Sequence, residues 1–314
     1  MRAWLVDQFG EPEQMRLAKV PDPEPGDGFV KIRVRAAGLN FFDLLQVRGQ
    51  YQVKPPFPFT LGAEVAGETE TGGRVFGFCR QGGLAEYAVV PRDRVFPIPS
   101  MFDFAQGAGF LVVYHTSWFA LTHRGKLQSG EWLLVHAGAS GTGMSAIQIG
   151  VALGAKVIAT AGSEQKLEFC RRQGAAHALD YRNPAWVDEV KQITGKGADV
   201  IYDPVGGDVF DLSSKCIAPD GRLLVIGFAS GRIPSIAANR LLLKNMSATG
   251  VYWGGYLTAH PEYFREAQSE LDPLIAQGKL RPEVGSRWSF TEAPRAVREI
   301  ENRTILGKAV VVID

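Results

Sequence analysis

Cysteine is scarce in this chain. Three residues, Cys79, Cys170 and Cys216, lie far apart. An odd, scattered set does not build a disulfide framework and cannot supply a four-thiolate zinc site. Long apolar runs are missing too, and no stretch reaches the roughly 18 residues that a membrane-spanning helix needs. No charged segment followed by an apolar one opens the chain, where Met1-Arg2-Ala3-Trp4 reads directly as a strand. These absences predict a cytoplasmic protein with no membrane partner. Charge of one sign is lacking as well: 34 Lys and Arg against 33 Asp and Glu leave a net +1, with no extended basic run. Nucleic acid is therefore a poor candidate partner.

What is present suits a globular enzyme. The 314 residues suggest two domains, and 46% hydrophobic content supplies a core. Up to about Pro99 the chain reads as β-rich. Lys31-Ile32-Arg33-Val34-Arg35 alternates as a half-buried strand does, and Val75–Phe78 and Ala85–Val89 are further short strands. Pro21, Pro23, Pro25, Pro55, Pro56 and Pro58 exclude long helices, leaving a short one at Phe41–Arg48. Phe104–Gly125 reads as a helix. Short, nearly all-apolar runs then alternate with helical stretches, beginning with Glu131–His136 and ending with Ala248–Tyr252. Strands buried on both faces of a parallel sheet have this composition, and the alternation predicts a doubly wound α/β unit. A tail with helices at Pro261–Gln277 and Thr291–Glu301 and a last strand at Lys308–Ile313 is expected to complete the first domain. The expected parts are residues 1–121, 122–254 and 255–314.

Glycine, with 36 residues, is plentiful, and its clusters carry most of the functional signal. The strand ending at His136 is followed by Ala137-Gly138-Ala139-Ser140-Gly141-Thr142-Gly143 and then a helix. Strict GxGxxG spacing is absent. The context still predicts a cradle at Ala139, Ser140, Gly141, Thr142 and Gly143, where N–H groups at a helix start hold a pyrophosphate. The competing reading is an ordinary tight turn. The next strand ends Thr160-Ala161-Gly162-Ser163. NAD enzymes place an acid there for the ribose 2′-hydroxyl. Small residues at that point admit a 2′-phosphate, with Gly162 giving room, Ser163 a donor, Lys166 a charge and Tyr181 a hydroxyl. A lone lysine is commonly a solvated helix face, yet the combination favours NADPH.

With those residues placed, the chain resembles the medium-chain dehydrogenase/reductase superfamily, specifically its zinc-free NADPH:quinone oxidoreductase (zeta-crystallin-type) family. The resemblance runs nearly end to end. It rests on Ala37-Gly38-Leu39-Asn40-Phe41-Phe42-Asp43, Leu61-Gly62-Ala63-Glu64-Val65-Ala66-Gly67, Gly82-Gly83-Leu84-Ala85-Glu86-Tyr87, the glycine turn, Asp203-Pro204-Val205-Gly206-Gly207 and Gly227-Phe228-Ala229-Ser230-Gly231. It implies a GroES-like β-rich domain with an inserted Rossmann domain, that is, a doubly wound parallel sheet. It also implies a homodimer joined through the last Rossmann strand, near Val251.

Zinc-dependent relatives carry Cys at the Asn40 position and His at the Ala63 position, so the resemblance implies no metal site. The five histidines form no pair at ligand spacing and are expected to be satisfied locally. Without a Lewis acid a conjugated acceptor is favoured, because it has its own electron sink. The resemblance places Asn40 by the nicotinamide and ribose, Thr116 against the carboxamide, and Gly227 and Phe228 beside the ring. Asp43 either orients Asn40, relays a proton, or simply stabilises a helix start. Tyr51 is the candidate hydroxyl for a quinone oxygen, or else a packed aromatic. Tyr252 and Trp253 line a substrate pocket, a dimer contact or the core, and Arg303 is a candidate cofactor contact. Ser140 stands at a glycine of the family's turn, with a hydroxyl free to donate to the pyrophosphate. The function expected is NADPH-dependent hydride transfer to a quinone. The alternatives are enone or enal double-bond reduction and, in another class, a non-catalytic NADPH-binding structural or RNA-binding protein.

Overall fold

A computed structural model describes all 314 residues, Met1–Asp314. The chain divides into two compact units, Met1–Val113 with Arg281–Asp314, and Tyr114–Leu280. In chain order the first unit contributes β1 (Arg2–Leu5), β2 (Arg16–Lys19), β3 (Phe29–Leu39), α1 (Phe41–Val47), β4 (Glu64–Thr69), β5 (Arg74–Phe78), β6 (Tyr87–Pro91), β7 (Val95–Pro97) and α2 (Phe104–Ala108). Helix α3 (Leu111–Trp118) follows and runs into a π-helical turn at Phe119–Arg124. The second unit continues with β8 (Trp132–Val135), α4 (Gly141–Ala152), β9 (Lys156–Ala161), α5 (Glu164–Arg172), β10 (His177–Asp180), α6 (Trp186–Thr194), β11 (Ala198–Asp203), α7 (Gly207–Cys216), β12 (Ile217–Val225), α8 (Ala238–Lys244), β13 (Ser247–Gly250), α9 (Trp253–Ala259) and α10 (Tyr263–Ala276). The chain closes with β14 (Ser286–Ser289), α11 (Ala293–Glu299) and β15 (Ala309–Val312) in the first unit.

The second unit is a parallel sheet in the order β10-β9-β8-β11-β12-β13. This is the doubly wound 3-2-1-4-5-6 arrangement, whose strand order reverses between β8 and β11. Every residue of β11 is buried, as is β9 beyond Lys156. Helices covering both faces demand continuous apolar strands, which is why alternation is absent from the sequence here. The first unit is a largely antiparallel sheet ordered β14-β15-β3-β4-β5-β7, with β6 paired to the outer half of β3. The last strand pairs with β3 in the register Ala309↔Leu39 to Val312↔Ala36. Its core joins Ile32, Val34 and Leu61 from the front of the chain to Phe290, Val297 and Val311 from the end.

The units divide at 113/114 and 280/281, whereas the sequence put boundaries at 121/122 and 254/255. The shift comes from α3 and α10. Helix α10 buries Phe264, Ala267, Leu271 and Ile275, and His115 of α3 shares a 2.8 Å hydrogen bond with its Gln268. The helix expected over Phe104–Gly125 is interrupted at Gly109-Phe110. Helix α9 was not expected, because Gly254 and Gly255 weigh against a helix.

Candidate active site

The candidate site residues fall into two groups, one in each unit. In the second unit the glycine turn follows β8 directly. Ala137 takes a positive φ of 50°, and the chain then enters α4 with Ser140 as N-cap. Two of the glycines serve internal packing. A Cβ on Gly138 would come within 2.7 Å of Cys170 Sγ and 2.9 Å of Ala159 Cβ, and one on Gly143 would overlap the Ala137 carbonyl. The Ser140 hydroxyl is turned back on its own loop. It donates to the Ala137 carbonyl at 2.8 Å and accepts from the Gly143 N–H at 3.1 Å. The sequence expectation that it donates to a pyrophosphate is not met by this geometry, because its proton goes to the Ala137 carbonyl.

The same capping shows which groups an anion could use. The Gly143 N–H goes to Ser140 Oγ and the Met144 N–H to the Ser140 carbonyl. The N–H groups of Gly141 and Thr142, first in a 12-residue helix, are left without a protein acceptor. Orphan donors at the positive end of a helix dipole bind anions, and small side chains keep them accessible. Thr142 itself is held from behind. Ser145 donates to its carbonyl at 3.0 Å, and Ser117 Oγ lies 2.8 Å from Ser145 Oγ and 3.0 Å from Tyr202 Oη. Ser117 thereby ties α3 to the turn. Thr116, beside it, is half-buried, whereas every other residue of α3 is fully buried.

After β9, Ser163 caps α5 by accepting from the Lys166 N–H at 3.4 Å. Lys166 is half-buried. Glu164, the first acid after the strand, is exposed and pairs with Arg171 at 2.9 Å. Tyr181 lies against Gly162 so closely that a Cβ there would be 2.6 Å from its Oη. Small residues, a lysine and a tyrosyl hydroxyl are thus gathered, and the nearby carboxylate is engaged elsewhere. At the end of β11, Asp203 Oδ1 accepts from the Val205 and Gly206 N–H groups at 2.8 and 3.0 Å, while its buried Oδ2 meets no protein donor. Burial raises this carboxyl to about 6, against those two hydrogen bonds. Gly227 is half-buried and Phe228 exposed just beyond β12.

Of the two buried histidines, His136 is satisfied at both ring nitrogens, whereas His115 Nδ1 meets no partner. His136 is buried, with Nδ1 2.9 Å from Thr160 Oγ1 and Nε2 2.8 Å from Ser213 Oγ. Because Ser213 spends its proton on the Val209 carbonyl, its oxygen accepts from His136, which fixes the Nε2–H tautomer. Burial holds His136 down at about 3 and His115 at about 4, so both are neutral. Trp253 is also accounted for by packing: it is buried, 5.9 Å from Phe264 and 5.8 Å from His115 between ring centroids. The expectation of a pocket or dimer role for Trp253 is corrected to a core role, and that expectation stays with Tyr252, which is half exposed.

In the first unit the centre is Asn40, N-cap of α1 and 8% exposed. Strand register assembles its surroundings. Glu64 on β4 lies opposite Gly38 of β3, and Ala309 on β15 lies opposite Leu39, so Glu64 and Lys308 arrive on either side. Gly38 makes the room, since a Cβ there would be 2.7 Å from Glu64 Oε1. Lys308 Nζ donates to the Leu39 carbonyl, Asn40 Oδ1 and Glu64 Oε1, each at 2.8 Å. Asn40 Nδ2 donates to Glu64 Oε1 at 2.9 Å, and the Val112 N–H to Glu64 Oε2 at 2.8 Å. Sequence reasoning did not assign Glu64 or Lys308. The available signal was a carboxylate inside the apolar run Ala63-Glu64-Val65-Ala66, which demands a buried partner.

Asp43 is fully buried. Its carboxyl accepts from the Asn40 N–H at 2.8 Å and the Gly62 N–H at 3.2 Å. It therefore holds the backbone on either side of the site, at Asn40 and at Gly62. Burial raises this carboxyl to about 7, outweighing the two N–H bonds and the Lys308 charge. A group that is protonated more readily folded than unfolded contributes full stability below its unfolded value and loses it as pH rises. The urea midpoint of the wild type is thus expected to fall, relative to Asp43→Asn, between about pH 4 and about pH 7, and to run parallel above that; parallel midpoints across the whole range would contradict the assignment. Tyr51 is half-buried, its ring 5.6 Å from that of Phe42. Arg303 is exposed, at a φ of 56°, in the loop before β15.

With this geometry described, comparison with known proteins is direct. Residues 26–75 match the family model for the alcohol dehydrogenase GroES-like domain, and residues 141–272 that for zinc-binding dehydrogenase. The chain is 37% identical over 324 residues to quinone oxidoreductase-like protein 2 homolog of Nematostella vectensis, covering 99% of this chain and 88% of that protein. It belongs to the medium-chain dehydrogenase/reductase superfamily, in the quinone oxidoreductase family. The quinone oxidoreductase of Thermus thermophilus, solved also in complex with NADPH, superposes with a TM-score of 0.89 at 35% identity over 99% of this chain and 100% of that one. CurK enoyl reductase does so at 0.90 with 26% identity, over 100% and 99%. Despite the zinc in the second model's name, the structure has no group of three or more His, Cys, Asp or Glu side chains that could hold a metal ion. No helix is long and apolar enough to cross a membrane.

Proposed function

We propose that this chain is an NADPH-dependent reductase that passes hydride to a quinone. The observation that carries the cofactor assignment is the pair of orphan N–H groups at Gly141 and Thr142, coupled with a second strand that ends without a free acid. When bound, NADPH supplies the hydride and the adenosine 2′-phosphate that these residues fit. Gly141 and Thr142 hold the pyrophosphate. Ser163, Lys166 and Tyr181 hold the 2′-phosphate, and Thr116, Gly227 and Phe228 seat the nicotinamide. Asn40 offers hydrogen bonds to the nicotinamide ribose region, and Arg303 a charge to the cofactor.

The acceptor assignment follows from what replaces the metal ligands. A carboxamide at Asn40 and a methyl at Ala63 offer no Lewis acid to polarise an isolated carbonyl. A quinone accepts hydride without one, and its developing oxyanion needs only hydrogen bonds, for which Tyr51 is the donor proposed here. The exposed rings of Phe228 and Tyr252 suit a planar acceptor by stacking. The likeness to an enoyl reductase supports a second reading, reduction of an enone or enal. The test is an acceptor panel followed at the NADPH absorbance. Turnover with 1,4-quinones exceeding that with alkenals supports the first reading, the reverse the second, and tight NADPH binding with no turnover a non-catalytic role.

The phosphate assignment has its own check. Lys166→Ala is expected to weaken NADPH about tenfold and leave NADH nearly unchanged, because a charge-assisted contact to phosphate is worth ~1.5–3 kcal/mol less partial exposure. Equal losses for both cofactors in calorimetry would place Lys166 away from the phosphate. We further propose a homodimer through the edge strand β13. That strand is largely exposed, and Leu242 and Leu243 of the preceding helix are 76% and 79% exposed, so light scattering should report twice the 34.2 kDa chain mass.

A further inference from the structure

Lys308 and Glu64 form an ion pair at 2.8 Å with side chains 2% and 1% exposed. Burying two charges is costly, and such a pair is weak grounds for stability by itself. Its geometry suggests what else it does. An ammonium has three donors and no acceptor, and Lys308 spends all three, on the Leu39 carbonyl, Asn40 Oδ1 and Glu64 Oε1. Glu64 accepts the Asn40 Nδ2 group on the same Oε1 and the Val112 N–H on Oε2.

A carboxamide is nearly symmetric in shape and can turn over, exchanging its oxygen and nitrogen. Here it cannot. Turned over, Asn40 would set its NH2 against an ammonium and its oxygen against a carboxylate. Lys308 and Glu64 therefore lock one sense. Two N–H donors and two lone pairs on the carboxamide, less one of each taken by the pair, leave one donor and one acceptor for anything outside.

We propose that Lys308, paired with Glu64, is a positioning residue that fixes the sense of the Asn40 carboxamide so that its remaining N–H is offered to the nicotinamide ribose half of NADPH. This rests on the reading of Asn40 given under the proposed function. It makes the charged pair a device for recognition, since a neutral network could keep the same packing with the amide reversed.

That reversal can be produced. In Lys308→Met/Glu64→Gln both charges are gone and volume is nearly conserved. The Val112 N–H demands the Gln oxygen at position 64, which turns the Gln NH2 toward Asn40 and draws the Asn40 oxygen to it. The locked sense is inverted with no buried charge left unpaired. A second variant, Asn40→Asp/Glu64→Gln, keeps the wild-type net charge and the Lys308 contacts to the Leu39 carbonyl and to position 40, but removes every side-chain donor from position 40.

The experiment measures dissociation constants for NADPH and for adenosine 2′,5′-bisphosphate, which lacks both the nicotinamide and its ribose. It uses the wild type, both double variants, Asn40→Ala, and Asn40→Ala combined with Lys308→Met/Glu64→Gln. Circular dichroism and thermal melts report folding. Each double variant is expected to weaken NADPH about tenfold, the worth of one hydrogen bond, and to leave adenosine 2′,5′-bisphosphate unchanged. In the Asn40→Ala background the charge-removing pair should add nothing further. Equal losses for both ligands, a loss that adds to that of Asn40→Ala, or full NADPH affinity in both folded double variants would overturn the proposal. So would an Asn40→Ala variant that binds NADPH as the wild type does. Because the readout is binding, silence of every acceptor in a turnover panel would remove the hydride-transfer reading and leave this result standing.

Discussion

Exchanging Ser163 for aspartate is expected to cost NADPH about a hundredfold in affinity and to leave NADH binding equal or improved. Aspartate is as good an N-cap as serine, so α5 keeps the hydrogen bond that the Lys166 N–H now donates to Ser163 Oγ. What changes is the sign of charge at the end of the second strand. Two unit charges about 4 Å apart interact by ~4 kcal/mol at an effective dielectric near 20, and partial screening leaves roughly 2–3 kcal/mol of repulsion against a 2′-phosphate. The same carboxylate can accept from a ribose 2′-hydroxyl, which is how NAD enzymes use an acid at this point. Calorimetric titration of the variant with both cofactors decides it. Unchanged NADPH affinity would move the 2′-phosphate away from Ser163, and a parallel loss of NADH would point to a damaged fold.

The second large effect is on stability. Lys308→Met alone is expected to cost about 3–5 kcal/mol, because it strands the Glu64 carboxylate in a site that is 1% exposed. Lys308→Met/Glu64→Gln should recover most of that loss, since replacing a buried pair with groups of similar volume is often neutral or stabilising. Denaturant titrations of the three proteins at neutral pH measure both numbers. A single variant no less stable than the double would mean that Glu64 finds another partner when Lys308 is gone. The comparison also bears on the ligand-binding experiment, where the double variant must fold for its NADPH affinity to be read.

Much of the doubly wound unit was legible because its physics is local. Leu133-Leu134-Val135 and Ala198–Asp203 are continuous apolar runs because helices cover both faces of their sheet, and that requirement is written along each strand. The glycine turn was legible for the same reason, since a strand, small residues and a helix start are contiguous. Ser140 shows where this stops. From sequence its hydroxyl is equally able to meet a phosphate or its own loop, and only the backbone path, with Ala137 at positive φ, turns it inward. Trp253 was equally ambiguous, and its burial depends on helix α10 arriving from further along the chain.

The Asn40 centre was half legible. Asn40, Asp43 and Glu64 stand in quoted motifs, but their partnership depends on strand register. Lys308 meets Glu64 across 244 positions because β15 returns beside β3 in one register and β4 flanks it in another. A one-residue slip in either pairing would turn those side chains to the opposite face.

By itself the amino-acid sequence determined the class of fold, the place of the glycine turn between strand and helix, and the small residues that close the second strand, because each is set by residues adjacent in the chain. Tertiary structure alone decided which donors that turn leaves unspent, that Asp43 holds backbone instead of the Asn40 side chain, and that a lysine just ahead of the last strand contacts that side chain. Those outcomes depend on which groups remain unpaired once distant segments have packed, and that accounting closes only when the whole chain is folded.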